Sequence, residues 1–191
     1  MNSPVPATRT LFLYTEDDLT GLWNRESILS LLFGETDRAQ RMGTSLGLLL
    51  LAIDRFSEMK AELGPEAGDR ILREMAGRLR RYLRSYDLFG RTGDAEFLIV
   101  LPGCNACQAR HLASRMQTIM LQKPFPAPSE EVKVTVSIGL AQSQGRSPLV
   151  VLHEAEQSLA AAKQEVSSSG PRDARTQVQM TNRNLRQGPG L

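Results

Sequence analysis

Cysteine and histidine are scarce, with two of each among 191 residues. Two cysteines exclude the disulfide framework of a small secreted scaffold. They stand as Cys104-Asn105-Ala106-Cys107, a spacing that invites comparison with zinc and redox motifs. His111 and His153 lie far apart in sequence, so the pair reads as two small residues around a helix start. Long apolar runs are missing as well. The longest, Leu48 to Ile53 with Leu46 just before it, falls far short of the roughly 18 residues that a membrane-spanning helix needs. The first residues, Met1-Asn2-Ser3-Pro4-Val5-Pro6, carry neither a basic cluster nor an apolar stretch of secretory type, so the expected location is cytoplasmic, with no direct membrane insertion. Nor is there an excess of one charge: 23 Lys plus Arg face 21 Asp plus Glu. The chain is therefore not the strongly basic object that non-specific nucleic-acid binding favours, and any anionic ligand must be held locally.

What the sequence does have is enough apolar material for a proper core, at 41% hydrophobic residues. Residues 1–14 read as a tail or linker, 15–167 as one domain, and 168–191, rich in Ser, Gly, Gln, Asn and Arg without apolar periodicity, as a disordered polar tail. Between the tails, elements alternate. Residues 24–43 read as a helix ended by Gly43, with Ile28, Leu31, Leu32 and Ala39 on one side, and Leu46 to Ile53 as a buried strand. From Glu66 to Arg84 the apolar positions Ile71, Leu72, Met75, Ala76, Leu79, Tyr82 and Leu83 recur at three and four residues, the stripe of an amphipathic helix whose other face is crowded with arginine. Asp87 to Thr92 and Glu96 to Leu101 form a hairpin through Gly93-Asp94. A helix over 105–121, a strand with Val132, Val134, Val136 and Ile138 on one face, and a helix over 149–166 complete the set. Alternating strands and helices with one hairpin predict a mixed sheet covered by helices.

Several segments match one family in order and spacing. They are Asp17-Asp18-Leu19-Thr20-Gly21-Leu22-Trp23-Asn24-Arg25, the strand end Ile53-Asp54-Arg55-Phe56, Gly68-Asp69, and the turn Arg91-Thr92-Gly93-Asp94-Ala95-Glu96-Phe97. The match continues through Leu101-Pro102, Thr135-Val136-Ser137-Ile138-Gly139 and Ala162-Lys163. Together they resemble the GGDEF domain of diguanylate cyclases over about residues 15–167. The resemblance implies an α/β (α+β) nucleotide-cyclase-like palm fold with a mixed five-stranded central sheet flanked by helices. Its hairpin would carry the signature, at the site where the family condenses GTP into cyclic di-GMP.

That condensation requires metal ions to neutralise the triphosphate and activate a 3′-hydroxyl, and hard divalent cations want carboxylate oxygens close together. The resemblance places the family's two metal carboxylates at Ala52 and Ala95, neither of which can serve. On a pleated hairpin Asp94 is one residue out of register with Ala95, and Asp54 lies two residues beyond Ala52, so neither is a replacement. Family contacts to substrate are altered too: Ser57 stands for Lys, Lys60 for the guanine-reading Asn, Pro65 for His, and Ser167 for a phosphate-binding Arg. Phe56, Asp69, Glu96 and Lys163 remain, read as fold-maintaining. Gly93, Asp94, Ala95, Glu96 and Phe97 thus form a degenerate signature, and the expectation is a chain with no cyclase activity, no cofactor and no magnesium requirement.

The family's second, regulatory site binds cyclic di-GMP through an Arg-x-x-Asp motif set a fixed distance before the signature. Arg84-Ser85-Tyr86-Asp87 stands at that distance, whereas Arg91-Thr92-Gly93-Asp94 has the pattern by accident; a second family arginine falls on Arg115. Guanine offers O6 and N7 to an arginine fork and its N1 and N2 hydrogens to a carboxylate, the complement of Arg84 and Asp87. Arg115 would reach a phosphate or lie against a base. The plain alternative is a surface ion pair at a helix exit. Arg91 either joins the ligand or pairs with Asp17, the internal pairing being preferred, and Trp23 and Tyr86 are read chiefly as packing residues. The expected function is a cyclic di-GMP receptor, with a protein partner, a neighbouring signalling domain or a ligand-linked homodimer as the outlet. The alternative is a ligand-independent interaction or dimerisation module, separable by calorimetric titration. Two further readings are an active cyclase with displaced ligands and a GTP-binding regulator using Asp69 and Lys163.

Overall fold

Eight consecutive buried residues, Leu46–Ile53, have to be covered on both faces, and this requirement organises the chain. The computed structural model describes residues 14–127 and 131–168 and a further short strand at 178–180. In chain order the elements are helix α1 Arg25–Met42, strand β1 Leu46–Ile53, helices α2 Phe56–Leu63 and α3 Pro65–Arg80, and strands β2 Leu88–Arg91 and β3 Glu96–Pro102. Helix α4 Ala106–Gln122, strands β4 Phe125–Pro126, β5 Glu131–Val132 and β6 Val136–Ser143, helix α5 Pro148–Ser168 and strand β7 Val178–Met180 follow. The central sheet has five strands in the order β2-β3-β1-β6-β7. All its pairings are antiparallel except β6 with β7, so the sheet is mixed as expected.

Period-two alternation sorts β1 between two cores. Leu49, Leu51 and Ile53 join Ile71, Leu72, Met75 and Leu79 of α3 and Met116 of α4 on one face. Leu48, Leu50 and Ala52 join Ile28 and Leu32 of α1 and Val151, Ala155 and Leu159 of α5 on the other. Each fully buried leucine contributes about 1.5–3 kcal/mol. The apolar run thus forms the middle layer of three. Two glycines let the layers close: a Cβ at Gly90 would lie 2.5 Å from the Ile28 Cβ, and one at Gly139 would strike the α5 backbone.

Helix ends follow side-chain chemistry. Asn24 caps α1 by accepting from the Ser27 amide, and Gly43, at φ 62, ends it where expected. Asn105 and Gln108 form a capping box at the start of α4, which accounts for the sequence between the two free cysteines, Cys104 buried and Cys107 exposed.

Four differences from the sequence expectation have local causes. Helix α3 stops at Arg80, four residues early, and the chain turns through 81–87, so Arg84 stands on the exit turn. Helix α2 was not anticipated; it is short and bounded by Arg55 at φ 54 and Gly64 at φ 87. The strand placed at 132–138 starts at Val136 and runs to Ser143, while Val132 belongs to the separate β4–β5 pair. Within the stretch read as a polar tail, Val178–Met180 pairs in parallel with Ile138–Leu140, giving β6 a neighbour on its outer edge. The rest of that tail and the first 13 residues lie outside the described residues.

Candidate functional site

The exit turn of α3 folds the Arg-x-x-Asp segment on itself. The Arg84 amide donates to Asp87 Oδ2 at 2.7 Å, and the Asp87 amide returns a bond to the Arg84 carbonyl at 3.1 Å. Because the Arg84 link is made by its backbone, the exposed guanidinium is not needed to close the turn. It donates to the Tyr86 hydroxyl at 2.8 Å, with its carbon 5.7 Å from that ring's centre. Burial pushes the Asp87 carboxyl above its ordinary value, and the Arg84 amide and charge only partly offset this. Below them, burial also pushes the Cys104 thiol up, with Asp87 adding to the effect and Arg84 opposing it.

Arg84 and Asp87 line a recess of about 280 Å³ together with Trp23, Leu83, Ser85 and Phe89. Arg80, the last residue of α3, completes the lining. Arg115 does not line it. Its guanidinium carbon lies 5.6 Å from the centre of the Tyr82 ring, a cation–π contact on α4's side of the turn. The structure therefore brings Arg84 and Asp87 together and leaves Arg115 outside. Sequence reasoning overlooked Arg80, although the arginine-crowded face of α3 and the four-residue spacing to Arg84 carried the signal.

At the other end of β2 lies the signature hairpin. The Thr92 and Gly93 amides both donate to the Glu96 carbonyl, at 2.9 and 3.3 Å, and the Ala95 carbonyl accepts from the Ile53 amide at 3.1 Å. Arg91 organises this turn from inside: its Nε donates to the Gly93 carbonyl at 3.1 Å and Nη2 to the Asp94 carbonyl at 2.7 Å. Its Nη1 lies 3.1 Å from Asp17 Oδ2, the internal pairing expected. Burial pushes the Asp17 carboxyl up, but the Thr20 hydroxyl, the Thr20 amide and Arg91 outweigh it and hold Asp17 below its ordinary value.

Ala52 is buried and faces Glu96 on β3 and Ser137 on β6. Glu96 is paired with Lys163 at 2.9 Å, while Asp94 is exposed and loosely paired with Lys60 at 3.7 Å. Ala95 packs against the apolar cluster, and Phe97 is fully buried with its ring 5.8 Å from that of Phe89. Asp54 accepts from the Ser137 hydroxyl at 2.6 Å through one oxygen; its other oxygen is buried without a hydrogen-bond partner among the described residues. Nowhere among the described residues do three His, Cys, Asp or Glu side chains gather in a group that could hold a metal ion. The Ser167 side chain lies outside the described residues.

A mixed five-stranded sheet between helical layers, with the signature hairpin β2–β3 beside the central strand, defines a cyclase-like α/β protein. The chain belongs to the GGDEF family: residues 14–169 match the diguanylate cyclase GGDEF domain. It is 35% identical over 148 residues to diguanylate cyclase DgcP of Pseudomonas aeruginosa, covering 77% of this chain but only 22% of that relative. Among solved structures, the GGDEF domain of DgcB from Caulobacter crescentus in complex with c-di-GMP superposes with a TM-score of 0.76 at 27% identity, covering 79% of this chain and 88% of that one. Diguanylate cyclase SiaD of P. aeruginosa, in complex with its activator SiaC, has a TM-score of 0.75 at 34% identity, covering 78% and 58% of the two chains. Among the described residues no helix is long and apolar enough to cross a membrane.

Proposed function

We propose that this domain is a cyclic di-GMP receptor that does not synthesise the dinucleotide, and that Arg84 and Asp87 read a guanine at the recess beside the exit of α3. The carrying observation is the closed Arg84–Asp87 turn, which lines that recess with an arginine fork and a carboxylate side by side. Guanine's acceptor edge suits the fork, and its N1 and N2 hydrogens suit the carboxylate. About 280 Å³ is at or below the low end of small-molecule pockets, so the recess takes one base and the rest of the dinucleotide lies across the surface. Arg115 joins it there by leaving the Tyr82 ring. A relative's GGDEF domain crystallised with c-di-GMP supports the ligand class.

The residues present do not fit the divalent ion that cyclase chemistry uses. The two positions assigned to its carboxylates hold methyl groups, Ala52 buried and Ala95 packed on the core, and Glu96 is neutralised by Lys163. No step of GTP condensation is therefore assigned to this chain, and its signature hairpin serves the fold. The output of such a receptor is a change in assembly, with a protein partner, an adjoining domain or a second copy gripping one ligation state more tightly than the other.

Calorimetric titration with cyclic di-GMP tests the reading. Binding at micromolar affinity or tighter, lost in Arg84→Ala, supports it. The alanine variant keeps the backbone turn, so its loss reports the guanidinium alone. Silence from the unaltered protein would leave a ligand-independent scaffold, and cyclic product from GTP and magnesium would refute the inactive assignment.

A further inference from the structure

The recess holds a second arginine, an exposed side chain tied to a backbone carbonyl and, among the described residues, without a carboxylate partner. Arg80 is the last residue of α3, four positions before Arg84, and lines the same cavity. Its Nη2 donates to the Gly21 carbonyl at 2.8 Å. That carbonyl belongs to a tight turn in which the Gly21 amide bonds to the Asp17 carbonyl at 2.8 Å and the Asp17 amide to the Leu22 carbonyl at 2.7 Å. A backbone carbonyl orients a guanidinium without cancelling its charge, and it occupies one of five N–H groups. No carboxylate lies within 4.0 Å of Arg80 among the described residues. Arg115, by contrast, is engaged over Tyr82 outside the cavity.

We infer that Arg80 is a phosphate-contacting residue of the dinucleotide site, holding one of the two phosphodiesters while Arg84 reads a guanine. This rests on the receptor reading and extends it to a residue that the Arg-x-x-Asp motif does not include. A cyclic dinucleotide carries one negative charge on each of two phosphates, and an arginine already oriented by backbone loses little freedom on taking up a phosphate oxygen. With Arg84 on a base edge, the two phosphates fall to other cations, of which Arg80 already lines the recess while Arg115 has first to leave the Tyr82 ring. Arg80, the last residue of α3, and Arg84, on its exit turn, both line the recess and bring two cations to it.

Four proteins decide it: the unaltered chain, Arg84→Ala, Arg80→Gln and Arg80→Lys, each titrated calorimetrically with cyclic di-GMP at two salt concentrations. Glutamine keeps a polar N–H at this position and removes the charge; being shorter, it also gives up the exposed bond to the Gly21 carbonyl, a loss that Arg80→Lys and the salt dependence separate from the charge. The expected result is binding weakened about tenfold by Arg80→Gln, the loss of one charge-assisted hydrogen bond, with a shallower salt dependence, an unchanged melting temperature and partial recovery in Arg80→Lys. If the unaltered chain binds, Arg84→Ala does not, and Arg80→Gln matches the unaltered chain, the Arg80 assignment is overturned and the receptor reading stands. Weakened binding with unchanged salt dependence also overturns it, because the role would then be steric. No binding by the unaltered chain overturns both.

Discussion

Asp17→Asn isolates one charge that holds the N-terminal turn to the signature hairpin. Asp17 Oδ1 accepts from the Thr20 amide at 2.9 Å and the Thr20 hydroxyl at 2.6 Å, and Arg91 approaches at 3.1 Å with 14% of its side chain exposed against 22% for Asp17. Asparagine keeps an acceptor for Thr20 and loses the ion pair with Arg91. Exposed pairs contribute about 1 kcal/mol or less, and breaking a buried one costs about 3–5 kcal/mol. Solvent reaching a fifth of Asp17 screens this pair toward the lower figure, so the expected loss at neutral pH is about 1.5 kcal/mol. The folded-state pKa of Asp17 is depressed, so its stabilisation is complete above the unfolded-state pKa and disappears as pH falls through the lower folded value. Urea denaturation of both proteins should therefore show a constant gap from about pH 7 to pH 5 that closes only in stronger acid. A gap under about 0.5 kcal/mol at neutral pH, or one closing between about pH 6 and pH 5, would refute the reasoning.

Gly139→Ala should cost about 3 kcal/mol or more in a thermal melt, because the new methyl meets the Ala155 carbonyl and the Leu159 amide, backbone atoms of α5 that side-chain rotation cannot clear. Arg78, 5% exposed, stacks 3.8 Å from the Phe125 ring centre, donates to the Lys123 and Pro124 carbonyls and pairs with Glu74. Arg78→Met should cost about 3 kcal/mol in denaturant, and Arg78→Lys should recover less than half because an ammonium cannot span both carbonyls. Asp87→Asn should melt no lower than the unaltered protein at neutral pH while losing cyclic di-GMP binding; a drop in melting temperature would contradict it. In the unaltered protein, affinity for cyclic di-GMP should begin to fall on acidification at a higher pH than an ordinary aspartate would give, followed by calorimetry.

The elements that were legible in the sequence are those whose pattern is long relative to their ends. Helix α3 announces itself by apolar positions at helical spacing, five of them inside the helix, and β1 by a continuous apolar run of a length that suits a doubly covered strand. The end of α3 was not legible. Tyr82 and Leu83 continue the helical stripe, yet both are only partly buried against the core and the chain has already left the helix. Helix α2 buries only Phe56, leaving almost no stripe to detect, and β4, β5 and β7 are too short to carry one. At the site, Arg84 and Asp87 share one turn because their relation is local. Arg115 is a long-range assignment, and the ring of Tyr82 holds it elsewhere. The bond that ties Arg80 beside the recess is long-range as well, its acceptor Gly21 lying 59 residues away in sequence.

Two carboxylates near this turn have been shifted in opposite directions, and the contrast separates fold from function. Asp17 is given more donors than its burial costs, so ionisation and folding favour each other. Asp87 receives one backbone donor and a neighbouring guanidinium that is directed at Tyr86, too little to offset its desolvation. Its raised pKa means that the ionised side chain is less comfortable in the folded protein than in water: its contribution to stability is present below the unfolded pKa and is lost as pH rises through the folded one. An under-solvated carboxylate beside an exposed arginine, at the wall of a recess, is the arrangement that two N–H donors from a ligand would complete. On the receptor reading, a guanine's N1 and N2 hydrogens are the donors that would offset the desolvation of Asp87.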